Sequence, residues 1–225
     1  GKDKIENLGE TNLVNWAFLN TNRDVLFSFK TINEENKINI DIEHTAKKLK
    51  DAFSNLKIHK EKKNIFSEKS LENFYYIDLI LKIYPNAKFL NPFRNLLDNT
   101  FAIYKQFLSH VSWSHSLETI LIYIDNYLKS LDYFKKKYPD KILSISLENL
   151  TKDPKAISME IYKFCDLIWD EKCLEFYKRK DLFSNTASNN QIRASVQKYD
   201  QKKYQSYKQI LKDYQKKYNW INLDY

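Results

Sequence analysis

Apolar positions recur along the chain with two different spacings, and the alternation between them sets the expected architecture. Residues 12–32 open with Leu13, Trp16, Ala17 and Leu19 at helical spacing, followed by a short run from Val25 to Phe29. A polar stretch from Asn33 to Asn39 leads to a stripe of Ile42, Ala46, Leu49, Phe53 and Leu56, which predicts a helix over about 41–57. Lys57 to Lys63 is a charged connector, and residues 64–69 read as short and extended around Ile65 and Phe66. Residues 72–84 read as a helix that Pro85-Asn86 terminates. An extended apolar run from Ala87 to Phe93 breaks off at Arg94-Asn95. Helical spacing then resumes, with Leu97, Phe101 and Tyr104 on one face and Asn95 as the cap.

Beyond a turn region rich in His, Ser and Trp, residues 115–137 form a long amphipathic pattern closing on Lys135-Lys136-Lys137, which suits the negative end of a helix dipole. Pro139-Asp140 turns the chain into an Ile/Leu/Ser strand from Lys141 to Leu147. Pro154 opens a helix running to about Cys165, and a short helix follows at 170–178. Residues 182–198 are rich in Asn, Ser and Thr without a period, and a Lys- and Tyr-rich helix covers about 200–218. Strands alternating with helices predict an α/β fold, a parallel sheet flanked by helices, in a single domain over 1–225. Ligands of such sheets bind at the carboxyl ends of the strands. A strand that ends on Arg94 where a helix opens is therefore a candidate anion site: first-turn N–H groups and the helix dipole favour negative charge, and a guanidinium adds a fork matched to phosphate.

Composition narrows the chemistry. The 225 residues carry a net charge of +8 and a pI of about 9.1, which favours anionic ligands. The lysines are spread along the chain, however, and no RNP-like, helix-turn-helix or zinc pattern accompanies them, so no nucleic-acid partner is expected. With 16 tyrosines and 14 phenylalanines the chain can form a core. Its two glycines, Gly1 and Gly9, leave no segment that could be a Gly-rich phosphate cradle. The histidines at 44, 59, 110 and 115 form no ligand pair, and Cys165 and Cys173 lack metal spacing, so no metal is expected. The cysteines read as reduced, buried thiols, which with no visible leader points to the cytoplasm. No apolar run reaches the length of a membrane span, and the sequence does not set the oligomeric state. Because the chain begins on Gly1 rather than methionine, its natural N-terminus is expected to lie upstream.

Several patches in order resemble the PAPS-dependent sulfotransferases, with the tyrosylprotein sulfotransferase-like proteins and the bacterial sulfotransferases fused to tetratricopeptide repeats nearest in kind. They are Gly9-Glu10-Thr11, Glu68-Lys69-Ser70-Leu71 followed by Tyr84-Pro85-Asn86-Ala87-Lys88, and Phe89-Leu90-Asn91-Pro92-Phe93-Arg94-Asn95. Leu147-Glu148-Asn149-Leu150, Asp153-Pro154 and Leu167-Ile168-Trp169-Asp170 follow, then Thr186-Ala187-Ser188-Asn189-Asn190-Gln191-Ile192-Arg193 with Lys203-Tyr204 downstream. The resemblance implies a P-loop-NTPase-like sulfotransferase fold and sulfuryl transfer from PAPS to a hydroxyl acceptor in a protein or saccharide.

By the same resemblance, Glu10 is the base, while Lys69 and Ser188 stabilise charge on the sulfuryl and leaving oxygens. Arg94, Ser188, Asn189, Gln191, Arg193 and Lys203 hold the nucleotide, with Arg94 on its 3′-phosphate. Three positions depart from the family pattern: its second phosphate ligand, a serine, is Ala102, and its proline and basic residue are Leu96 and Leu97. The family's Gly-x-Pro-Arg-Ser-Gly-Thr-Thr loop is absent, so the fold is expected to be incomplete at the N-terminus, without its first strand and phosphosulfate loop, and this chain alone inactive. The alternative is a non-catalytic basic α/β module that binds nucleotide or an acidic partner.

Overall fold

Two separate parallel strand pairs carry the candidate chemistry at their exits. A computed structural model describes residues 5–23, 40–55, 65–109, 111–179, 193–199 and 203–223, without the side chain of Lys203. The chain divides into two compact units, Gly1–Ala87 and Lys88–Tyr225. Among the described residues each unit holds a two-stranded sheet, and both pairs are parallel, as the alternation of strands and helices predicts.

In the first unit, β1 (Ile5–Gly9) pairs with β2 (Ile65–Glu68), with Ile5 opposite Ile65 and Asn7 opposite Ser67. The register then slips so that Gly9 faces Glu68. Gly9 has a φ of 70°, a left-handed conformation that a residue without Cβ adopts freely. β1 is an addition to the predicted strands, because Glu6 and Asn7 interrupt its apolar positions and it is too short to show a period. Helices α1 (Leu13–Thr21) and α2 (Ile42–Asn55) pack together, and α3 (Ile77–Ile83) lies against α2. Val14, Ala17, Leu49, Phe53, Ile77, Leu79 and Ile80 are buried among them.

Trp16, on the expected inner face of α1, is instead 46% exposed. The helix expected over 72–84 begins as a 3-10 turn, Leu71–Tyr76. Contacts outside the segment hold Tyr76 there, its hydroxyl donating to Asn15 Oδ1 at 2.6 Å and its ring 5.1 Å from that of Phe18.

In the second unit, β3 (Phe89–Phe93) pairs in register with β4 (Ile142–Ser146), from Phe89 opposite Ile142 to Phe93 opposite Ser146. Helix α4 (Leu96–Gln106) starts one residue after Asn95, whose side chain accepts from the Leu97 and Asp98 N–H groups at 3.0 Å each, the predicted cap. Leu97 and Phe101 are buried as expected, but Tyr104 is 47% exposed and Asp98 and Thr100 are buried instead. Leu97 and Phe101 share one core with Leu121 and Tyr204, and Asp98 accepts from the Tyr204 N–H at 2.9 Å.

The remaining helices are α5 (Leu117–Lys137), α6 (Leu147–Lys152), α7 (Pro154–Phe164) and α8 (Lys208–Gln215), with 3-10 turns at Ser112–His115, Glu171–Lys178 and Lys203–Tyr207. The predicted strand through Leu147 stops at Ser146, whose hydroxyl accepts from the Asn149 N–H and so starts α6. Likewise the helix expected over 200–218 is a 3-10 turn followed by the shorter α8. The core joins Leu97, Phe101 and Leu121 to Tyr204, Leu211, Tyr218, Ile221 and Leu223. Expected features at Val25 to Phe29, Asn33 to Asn39, Lys57 to Lys63 and Leu56 lie outside the described residues.

Candidate functional site

In the first unit the two strands deliver Glu10 and Lys69 to neighbouring exits. Each follows directly on its strand, Glu10 after Gly9 and Lys69 after Glu68. The Lys69 N–H donates to the Gly9 carbonyl at 2.9 Å, and the Lys69 ammonium pairs with Glu10 Oε1. Both side chains face solvent, Glu10 at 46% and Lys69 at 61% exposed.

The residues flanking this pair are bonded to Glu68, which sequence reading did not single out for function. Its Oε1 accepts from the Thr11 N–H and the Thr11 hydroxyl, both at 3.0 Å, and from the Ser70 hydroxyl. The Ser70 N–H, at 3.1 Å, and the Asn73 amide also bond to the carboxylate. The Ser70 hydroxyl in turn accepts from the Asn12 N–H at 2.7 Å. Burial opposes the charge on Glu68, but the bonds from Ser70, Asn73 and Thr11 outweigh it and hold the carboxyl below its ordinary value. The signal in the sequence is the spacing: a carboxylate with Ser and Asn two and five residues on can satisfy the first N–H groups of a turn.

In the second unit Arg94 follows directly on β3, at its carboxyl end as expected. Its Nε donates to Asn99 Oδ1 at 3.2 Å, and its guanidinium carbon lies 5.8 Å from the centre of the Tyr199 ring. With Nε so engaged, the two terminal nitrogens are the fork that Arg94 presents. The helix contributes less than expected, because the Asn95 side chain takes two of its first N–H groups. The Asn95 N–H itself donates to Glu148 Oε1 at 2.9 Å, and the Ser146 hydroxyl to Glu148 Oε2 at 2.8 Å. An anion here would be held by guanidinium rather than by helix amides. Arg94 also lines a cleft of about 560 Å³ with Asn91, Phe93, Tyr127, Lys135 and Glu148.

Arg193 is exposed, and its Nη1 donates to the Arg179 carbonyl at 3.2 Å. The backbone of Lys203 opens a 3-10 turn beside fully buried Tyr204. Ser188, Asn189 and Gln191 lie outside the described residues.

Two of the patches that carry the resemblance have structural duties: Lys88 bonds the Phe164 carbonyl and Asp166, and the Trp169 indole donates to the Ser158 hydroxyl at 2.9 Å. The cysteines are free but half-exposed rather than buried. Burial, the largest influence on Cys165, pushes its thiol up. Among the described residues no cluster of His, Cys, Asp and Glu could hold a metal, and no helix is long and apolar enough to cross a membrane.

Comparison with known proteins bears on these same residues. An uncharacterized protein of Aquifex aeolicus (strain VF5) is 29% identical over 148 residues, which is 64% of this chain but 19% of that protein. The chain therefore spans about a fifth of the length of the curated relative it matches. The model of the sulfotransferase family matches residues 10–171. That range crosses from the first unit into the second and includes Glu10, Lys69 and Arg94, while Arg193 and Lys203 lie beyond it. With a match over most of its length and the α/β fold of parallel strands flanked by helices, the chain belongs to the sulfotransferase family.

Proposed function

We propose that this chain carries part of the catalytic apparatus of a PAPS-dependent sulfotransferase whose acceptor is a hydroxyl of a protein or saccharide. The observation that supports it most is the Glu10–Lys69 pair, a carboxylate and an ammonium at the exits of adjacent parallel strands, from positions 59 residues apart. An acceptor hydroxyl entering this pair meets a base and a cation together. Glu10 takes the hydroxyl proton as the new oxygen–sulfur bond forms, and Lys69 and Ser188 balance charge on the sulfuryl and leaving oxygens. The donor supplies an electrophilic sulfur, and the products are the sulfated acceptor and adenosine 3′,5′-bisphosphate.

The residues present fit one end of that donor. The fork of Arg94 suits a 3′-phosphate, with Asn189, Gln191, Arg193 and Lys203 as further nucleotide ligands by resemblance. The tyrosylprotein sulfotransferase-like branch is the proposed relation, on the segment from Thr186 to Arg193 and its spacing to Lys203-Tyr204. With glycine at positions 1 and 9 alone, the 225 residues offer no loop for the phosphosulfate end. The proposal therefore places that loop, and the strand before it, N-terminal to residue 1 in one domain with this chain.

The test is sulfuryl transfer by the chain extended through its upstream sequence. Glu10→Gln should cut turnover by roughly 10²–10⁴ with little change in nucleotide affinity. Arg94→Ala should weaken adenosine 3′,5′-bisphosphate by about 1.5–3 kcal/mol, the scale of a charge-assisted contact. Normal turnover in Glu10→Gln would refute its role as base. Ala102, which lacks a hydroxyl, favours a second reading as a non-catalytic nucleotide-binding module. Nucleotide binding without transfer by the extended chain would select it.

A further inference from the structure

Residues far along the chain from Arg94 hold it and tie its helix to the C-terminal segment. Asp98, on the first turn of α4, is 4% exposed. Its Oδ2 accepts from the Tyr199 hydroxyl at 3.3 Å and its Oδ1 from the Tyr204 N–H at 2.9 Å. The Tyr199 N–H donates to the Thr151 hydroxyl at 3.2 Å, which fixes the backbone of that residue to α6. One face of the Tyr199 ring is then turned to the Arg94 guanidinium, 5.8 Å away. A leucine would suit a core position beside Leu97 and Phe101. A carboxylate there costs desolvation that donors such as the Tyr199 hydroxyl and the Tyr204 N–H offset, and what it adds is a fixed register between two distant segments.

We propose that Tyr199 is a positioning residue for Arg94, and that with Asp98 it latches the segment bearing Lys203 onto the helix that Arg94 precedes. The proposal rests on the reading of Arg94 as a phosphate ligand. The ring holds the guanidinium by cation–π attraction on one side while Asn99 holds Nε on another, so the fork keeps one orientation. Asp98 bonds both ends of the stretch from Tyr199 to Tyr204, and the backbone of Lys203 is thereby carried at a fixed place on α4. Burial, together with Asp98 and Glu148, pushes the Tyr199 hydroxyl up to about 12 against the opposing pull of Arg94.

The experiment is calorimetry of adenosine 3′,5′-bisphosphate binding to the chain extended through its upstream sequence, for Tyr199→Leu, Tyr199→Phe, Arg94→Ala and the Tyr199→Leu/Arg94→Ala double variant. Circular dichroism checks that each is folded. Tyr199→Leu should weaken binding about threefold to tenfold, the range of a partly exposed cation–π contact. Tyr199→Phe, which keeps the ring, should recover most of that loss. In the Arg94→Ala background, Tyr199→Leu should have no further effect. Equal losses in both backgrounds would show that the ring does not act through Arg94 and would overturn the proposal. An Arg94→Ala loss with none in Tyr199→Leu overturns the positioning role of Tyr199 and leaves the phosphate reading standing. No loss in Arg94→Ala overturns the phosphate reading beneath it. For the other half of the latch, Asp98→Ala should speed amide exchange at Tyr204, and unchanged exchange would refute it.

Discussion

Replacing Glu68 by glutamine tests whether the Glu10–Lys69 pair is held by its neighbour or by the strands alone. The carboxylate collects donors from Thr11, Ser70 and Asn73, with the described distances at 3.0–3.1 Å. Glutamine has the same shape but one acceptor oxygen and no charge. With that oxygen turned to Thr11 and Ser70, its amide nitrogen faces the Asn73 amide, donor against donor, until one of them turns. Bonds to a charged acceptor contribute about 1.5–3 kcal/mol each and neutral ones about 0.5–1.5. A difference of about 1 kcal/mol per surviving bond, discounted for a half-buried site, gives a loss of about 2–3 kcal/mol.

The assay is urea unfolding of wild type and Glu68→Gln across pH. The folded carboxyl lies below its ordinary 4.5, so its contribution is complete above that value and disappears as pH falls through the folded one. Wild type should therefore lose stability on acidification that the variant does not have to lose, and the two curves should converge in acid. Turnover of the extended protein should fall as well, because Thr11 and Ser70 flank Glu10 and Lys69. Equal stability at neutral pH together with parallel acid curves would refute the reasoning.

Three further outcomes follow from the same geometry. Gly9→Ala should destabilise by about 1–2 kcal/mol in urea unfolding, because the φ of 70° disfavours any Cβ although none of its surroundings lies within 4 Å. Tyr199→Phe should flatten the alkaline limb of the stability curve: the hydroxyl is raised from 10.0 to about 12, so its contribution is whole below pH 10 and is lost as pH rises toward 12. The charged groups facing it are Arg94, Asp98 and Glu148. Glu148→Gln should cost about 1–2 kcal/mol by thermal or urea unfolding, less than Glu68→Gln, because among the described residues two donors rather than five meet its carboxylate.

The long elements were legible because their apolar spacing is strong. The stripe of Leu49 and Phe53, the cap at Asn95, the strand ending before Arg94 and the Pro154 helix start all stand where the pattern puts them. Strand β1 was not legible, since five residues with Glu6 and Asn7 among them carry no period and its partner lies some 60 residues away. Nor was the inward face of α4. Tyr104 fits the helical stripe by spacing, but α4 is covered by Leu121 of α5 and by residues from Tyr204 onward, distant segments that no local pattern places, and Asp98 and Thr100 are buried instead. The Glu10 and Lys69 candidates came from resemblance, and what brings them together is the pairing of β1 with β2 and the bonds of Glu68 to Thr11, contacts between segments that no local pattern announces.

The two units use the same construction at the exits of their strands. A parallel pair leaves backbone N–H groups unpaired where each strand turns into a helix, and those groups are costly if buried without a partner. In the first unit Glu68, at the end of β2, accepts from the Thr11 N–H just past β1. In the second, Glu148, just past β4, accepts from the Asn95 N–H just past β3. Each carboxylate therefore ties one strand's exit to its neighbour's, and a charged residue stands beside the tie: Glu10 between β1 and Thr11 and Lys69 directly after Glu68 in one case, Arg94 between β3 and Asn95 in the other. A side chain that must meet a proton or an anion can then stay in contact with solvent while its backbone is held on both sides. This also accounts for the exposure of Glu10. The residues that follow Glu10 are bonded to Glu68 and Ser70 through the Thr11 and Asn12 N–H groups, so under the proposed role of Glu10 as base, access for an acceptor and a held backbone do not compete.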